Sequence, residues 1–221
     1  MIVAIDGPAG AGKSTIARMI AARRGLTYLD TGAMYRTVTL LALEQDIAPN
    51  ATDELGQLAQ NTEMSFQPGP DGSPRVFAGC REVTEEIRSP RVTANVSEVS
   101  AHAPVREAMV DMQRALTAIG DVVVDGRDIG TVVCPDAGVK IFLTASNSER
   151  ARRRRLELEA KGIDVPQDKM EQEISARDEY DSSRKVSPLK AADDAVRVDT
   201  TDLGIDDVVD RVSEIIEAKP S

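Results

Sequence analysis

The chain has 221 residues, enough to bury a sizeable core in one domain, and carries 37 acidic against 27 basic residues for a formal net charge of -10. That balance excludes broad attraction to a nucleic-acid backbone or an anionic membrane, so an anionic ligand must be captured by a local cluster. The two cysteines, Cys80 and Cys134, have neither C-x-x-C nor metal-ligand spacing, which excludes a disulfide framework and a zinc site and fits a reducing cytoplasm.

Met1 leads straight into "IVAI", with no basic leader and no long apolar span, which predicts a soluble intracellular protein without a secretion signal or membrane helix. The opening "MIVAIDGPAGAGKSTIARMIAARRG" predicts a buried strand, a glycine-rich turn and a helix from about Lys13 to Arg24 that Gly25 can end. "LTYL" predicts a second strand. The helix after it carries Met34, Val38 and Leu41 at helical spacing, with Asp30 or Thr31 as its cap. From about Thr62 to Ile87, turn formers and apolar/polar alternation predict a small antiparallel element. Val92, Val96 and Val99 mark the next helix, and Pro104 opens another that carries Val105, Met109, Met112 and Leu116 as core positions. His102, the sole histidine, is expected to be structural or exposed. "DVVVDGRD" and "GVKIFL" predict two more buried strands. An arginine-rich helix follows from about Ser146 to Lys161, stopping near Gly162, and a further helix runs from about Gln167 to Arg184. "AVRVD" predicts the last strand, before a helix with Val208, Val209, Val212, Ile215 and Ile216 on one side. Strands alternating with helices predict a parallel sheet covered on both faces, with ligands at the strands' carboxyl ends. Both cysteines are expected to be small buried hydrophobes.

Gly7-Pro8-Ala9-Gly10-Ala11-Gly12-Lys13-Ser14 satisfies G-x-x-x-x-G-K-[ST], between a predicted strand and a predicted helix. Backbone N–H groups of such a loop wrap a phosphate, Lys13 reaches the β- and γ-phosphates, and the Ser14 hydroxyl can ligate Mg²⁺. No asparagine is followed by lysine, so the guanine-reading N-K-x-D of a GTPase is missing, and the chain has little length to spare for a motor. A small-molecule kinase needs a second anion site, and Arg36, Arg106, Arg127, Arg177 and Arg184 fall at the ends of predicted strands and helices. Asp128 and Asp181 suit amino or hydroxyl groups instead. Arg177, Asp181 and Arg184 lie at i, i+4 and i+7, a pattern that by itself favours an ordinary surface pair of Arg177 with Asp181. Arg150 to Arg155 equally describe a solvated helix face answering Glu157 and Glu159. Asp125 is either a ligand to a Mg²⁺-bound water or a cap for the turn that follows it.

"GPAGAGKST", "LDTGAMYR", "EEIRSPRV", "PVREAMVDMQR", "DGRDIGTVV", "ARDEYDSSR" and "VSPL" occur in that order, and together the chain resembles the bacterial cytidylate kinases over almost its whole length. The resemblance implies a P-loop three-layer α/β/α fold with a central parallel sheet. It also implies a core of about residues 1–35 and 90–221, a nucleoside-monophosphate-binding region with its insert at about 36–89, and a short mobile lid at about 150–167. Gly7, Pro8, Ala9, Gly10, Ala11, Gly12, Lys13, Ser14 and Thr15 would then hold ATP. Thr31, Arg36, Arg106, Arg127, Asp128, Arg177, Asp181 and Arg184 would line the CMP pocket, with the first four chiefly near phosphate and the acids near base or sugar. Arg154 and then Arg153 would join Lys13 in catalysis. The implied reaction is ATP + CMP to ADP + CDP with Mg²⁺, dCMP also serving, in a monomer without nucleic-acid or membrane partners. UMP, AMP or shikimate are the competing acceptors, and a nucleotide-gated regulatory protein is the competing class. Tyr180 departs from the family, where a charged residue is common.

Overall fold

In the computed structural model, which describes residues 1–69, 73–160 and 162–219, the opening apolar run forms β1 (Ile2–Asp6) and the glycine-rich turn delivers it into α1 (Lys13–Arg24). β2 (Thr27–Asp30) leads into α2 (Thr31–Glu44), whose cap is Asp30, its Oδ1 accepting from the Ala33 N–H at 3.0 Å. A helix absent from the sequence expectations, α3 (Thr52–Asn61), follows. The antiparallel element is a three-stranded sheet of β3 (Met64–Pro68), β4 (Pro74–Ala78) and β5 (Arg81–Glu82), in that spatial order. Pro70, Asp71 and Gly72 of that segment, and Lys161 at the expected end of the arginine-rich helix, lie outside the described residues.

Proline at the first turn opens both α4 (Pro90–Val99) and α5 (Ala103–Thr117), where its missing N–H removes one of the unsatisfied donors. β6 (Val122–Gly126) ends in a π-helical turn at Ile129–Val133 and is followed by β7 (Val139–Thr144). The chain closes with α6 (Asn147–Glu159), α7 (Gln167–Ser183), β8 (Val196–Asp199) and α8 (Ile205–Glu217).

The central sheet is parallel throughout, in the order β2-β6-β1-β7-β8. Alternation along the strands sorts its side chains into two cores. Ala4, Val122 and Val124 face one layer with Met34, Val38, Leu55 and Met109 from α2, α3 and α5. Val3, Ile5, Val123, Ile141 and Leu143 face the other, with Ile16 and Ile20 of α1 and the valine and isoleucine stripe of α8. The small sheet packs separately against α2, through Val76, Val83, Ile87 and Leu40. Arg81 pins it there by bonds of 2.9 and 2.8 Å to the Glu44 carboxylate and 2.6 Å to Glu86.

Candidate active site

The glycine-rich loop and the carboxyl ends of β1, β6 and β2 meet at one edge of the parallel sheet. Gly7 adopts φ 148°, and a Cβ there would lie 2.1 Å from the Leu143 carbonyl oxygen, so only glycine lets the loop cross β7 this closely. Gly12 caps α1 without offering a side chain, which leaves the first-turn N–H groups to an incoming anion, and no acidic residue in that turn opposes one. Lys13 is buried and its Nζ donates to the Pro8 carbonyl at 2.8 Å. Burial holds the Lys13 ammonium far below its ordinary range, and the guanidinium groups of Arg127 and Arg177 push the same way. The Asp125 and Asp6 carboxylates offset part of this, and a phosphate would add to that counter-charge.

Ser14 Oγ donates to Asp125 Oδ2 at 2.8 Å, and the Tyr28 hydroxyl donates to Oδ1 at 2.9 Å. The Asp125 carboxylate is thus turned toward the loop rather than capping the turn after it. Burial and the neighbouring Asp30 raise its pKa. A hydroxyl beside a buried carboxylate is a hard oxygen pair of the kind that suits Mg²⁺, which keeps several waters and needs few protein ligands. Among the described residues no group of three or more His, Cys, Asp or Glu could hold a metal.

On the other side of the loop, two acids organise the arginines. Asp181, 1% exposed, accepts from Arg127 Nε at 3.1 Å and also pairs with Arg184. Asp128 accepts from Arg106 Nη2 at 2.6 Å in a pair whose side chains are both almost wholly buried. The Arg106 guanidinium lies 5.1 Å from the Tyr35 ring centroid and donates from Nη1 to the Ser100 carbonyl at 3.1 Å. The Ser100 hydroxyl accepts from Arg184 at 3.3 Å, so one residue ties the two pairs together. Arg36 is held by Thr93 Oγ1 at 2.9 Å and the Ile87 carbonyl at 3.1 Å. Thr31 is buried, with its hydroxyl donating to the Asp125 carbonyl at 2.7 Å. Arg177 Nε has no hydrogen-bond partner among the described residues. Burial lowers Arg177 to about 10, with Arg127 and Arg36 near enough to contribute. The i, i+4 spacing of Arg177 and Asp181 therefore does not mark an ion pair, because Asp181 is engaged by Arg127 and Arg184.

The arginine run of α6 divides differently from its sequence expectation. Arg154 pairs with Glu157 at 2.8 Å. Arg153 donates to Glu149 at 2.8 Å, to Thr200 Oγ1 at 2.9 Å and to the Thr200 carbonyl at 2.6 Å. The buried member is Arg150, which sequence reasoning left in the solvated face. It donates to the Ala9 carbonyl in the loop at 3.1 Å and to Asp178 on α7 at 2.5 Å. Six letters in a row offered no signal for which arginine turns inward. Arg150→Met should lower stability by about 1–3 kcal/mol, the usual range for lost charge-assisted hydrogen bonds; thermal unfolding checks this, and an unchanged midpoint would remove the tether from the account. Cys80 is exposed, at a tight turn rather than in the core where it was expected, whereas Cys134 is buried. His102 is structural, its ring nitrogens meeting Thr52 Oγ1 at 2.9 Å and the Pro49 carbonyl at 2.8 Å.

A family model described as Cytidylate kinase matches residues 3–218. The chain belongs to the cytidylate kinase family. It is 51% identical over 219 residues to a cytidylate kinase of Carboxydothermus hydrogenoformans, covering 99% of this chain and 98% of the relative. It is 53% identical over 215 residues to one of Exiguobacterium sibiricum, covering 97% and 96%. The fold also resembles that of a shikimate kinase from Bacteroides thetaiotaomicron, with a TM-score of 0.51 at 14% identity and 98% of each chain covered. As a member of that family the chain is a phosphotransferase of the P-loop α/β class. No helix among the described residues is long and apolar enough to cross a membrane.

Proposed function

We propose that the protein transfers the γ-phosphoryl group of Mg-ATP to CMP, and to dCMP, giving ADP and CDP or dCDP for pyrimidine nucleotide metabolism in the cytoplasm, and that it works as a monomer. The observation that carries this is Arg127, which follows by two residues the Asp125 bonded to Ser14 of the loop and itself reaches Asp181, on the helix where Arg177 Nε has no hydrogen-bond partner among the described residues; this supports a second anion site beside the glycine-rich loop.

In this reading Gly7 to Thr15 wrap the donor phosphates, with Lys13 against the β- and γ-groups. Arg36, Arg127 and Arg177 hold the acceptor phosphate, and Thr31 supports the floor between them. Arg106 already has its charge met by Asp128, so the pair suits a neutral hydrogen-bonding edge such as that of the base. Asp181, with Arg184, faces sugar hydroxyls. The acceptor phosphate oxygen is itself the nucleophile. It forms the new P–O bond as the bond to the β–γ bridging oxygen breaks, and no strong base is required. Mg²⁺ near Ser14 and Asp125 would neutralise charge on the β- and γ-phosphates when bound. The small sheet within residues 36–89 and a lid at about 150–167 close over the nucleotides, so that Arg153 and Arg154 exchange their present partners for the transferred group and water is excluded. The surrounding core is residues 1–35 and 90–221.

ADP formation measured in parallel with CMP, dCMP, UMP, AMP and shikimate tests this. Turnover concentrated on CMP and dCMP is expected. Preference for another acceptor would overturn the pocket assignment while sparing the loop, and slow acceptor-independent hydrolysis would favour a regulatory nucleotide binder.

A further inference from the structure

One buried carboxylate near both substrate sites has no part in that mechanism. Asp6 is the last residue of β1, directly before the loop, and is 4% exposed. Its two oxygens accept from consecutive backbone N–H groups, Oδ1 from Ile129 and Oδ2 from Gly130, each at 2.8 Å. These are the first two residues after Asp128, at the start of the π-helical turn, whose own bonds run from Val132 and Val133 back to the Asp128 carbonyl at 2.9 and 3.2 Å. The Lys140 stem also packs against Gly130; a Cβ there would lie 3.2 Å from Lys140 Cδ and 3.4 Å from Asp6 Oδ2. A core aspartate is costly to bury, and a neutral residue would fill the space without that cost. What the carboxylate supplies is a bidentate grip on two donors that a five-residue turn leaves unpaired.

We propose that Asp6 is a positioning residue for acceptor recognition, fixing the turn after Asp128 so that the Asp128–Arg106 pair is presented to the acceptor in one orientation. The inference rests on the assignment of that pair to the acceptor pocket. It makes a residue at the head of the donor loop govern the acceptor side. The neighbouring Arg106 guanidinium is already fixed by Ser100 and Tyr35, so the turn is the remaining freedom through which Asp128 can shift.

The test is a double-mutant cycle of Asp6→Asn and Asp128→Asn, with KM for acceptor, KM for ATP and kcat measured for each protein. An amide keeps one acceptor oxygen but turns an NH₂ toward the second N–H. Asp6→Asn is expected to raise acceptor KM by about ten- to a hundredfold, as for loss of a hydrogen bond to a charged acceptor, with ATP KM changed less than about twofold. In the Asp128→Asn background the same change should add less than about twofold, since its route is gone. Multiplying effects, or ATP KM rising in step with acceptor KM, would overturn the proposal and leave Asp6 a general structural residue. If Asp6→Asn yields no folded protein, Gly130→Ala, whose Cβ would crowd the Lys140 stem at 3.2 Å and meet Asp6 Oδ2 at 3.4 Å, is read by the same cycle. The unaltered protein is assayed first and the cycle uses whichever acceptor it phosphorylates, so a wrong acceptor is recognised separately from a wrong role for Asp6.

Discussion

Lys13→Ala is expected to cut kcat by about 10²–10³-fold or more with every acceptor, the scale seen when a preorganised donor to transition-state charge is removed. The fold should survive. Among the described residues Lys13 Nζ makes one hydrogen bond, to the Pro8 carbonyl, and burial disfavours the ammonium. The variant should therefore unfold at or slightly above the temperature of the unaltered protein while turnover collapses. Acceptor KM should change little, because the arginines do not depend on Lys13 for their positions. Circular dichroism melts and steady-state kinetics check both halves. A variant that loses activity only because it melts early would refute the assignment of Lys13 to transfer.

Asp181→Ala should have the opposite character, with stability and acceptor binding failing together. Asp181 is the shared counter-ion of Arg127 and Arg184, and the Asp181 and Arg184 side chains are only 2% and 7% exposed. Removing it strands buried positive charge beside Arg177, at a cost of about 3–5 kcal/mol. For a chain of this size that lowers the melting midpoint by roughly 10 °C. The stranded arginines also predict a rescue. Inorganic phosphate should raise the melting midpoint of Asp181→Ala more than that of the unaltered protein, whose arginines are already partly neutralised. Equal shifts in the two proteins would show that Asp181 does not hold the cluster together.

How far the sequence could disclose this site depended on how local each feature is. The strand, loop and first helix were legible, because glycine freedom and a helix N-terminus act within a few positions; α1 runs from Lys13 to Arg24, the bounds expected. The parallel sheet, its order of elements and the antiparallel insert were legible from alternation and apolar runs. α3 was not. It contains Gly56, which weakens a helix, and it stands because Leu55 and Ala59 pack into the core beside α5. Pro104 sits so close to Gly56 that a Cβ there would approach within 2.6 Å, so the residue that argues against a helix locally is required by its packing. The five-residue turn after Asp128 was hidden inside an apolar string, since its clamp, Asp6, is more than 120 positions away. The spacing of Arg177, Asp181 and Arg184 by itself suggested a surface pair, whereas Asp181 is buried and bonded to Arg127 and Arg184; Arg127, 54 positions from Asp181, is a distant competitor that spacing cannot display.

The central place of β1 bears on how the chain is made. Ile2 is paired with Val122 and Val3 with Val139, so β1 has no partner in the sheet until more than a hundred further residues have been translated. At about 5–20 residues per second, that leaves the apolar "IVAI" segment emerging from the ribosome for roughly 6–25 s before its sheet can close. The glycine-rich loop acquires its shape late, when β7 arrives beneath Gly7. Nascent chains released before Thr144 would lack the packing of Gly7 on β7 however much of the glycine motif they carried, and β1 would be an early ligand for chaperones.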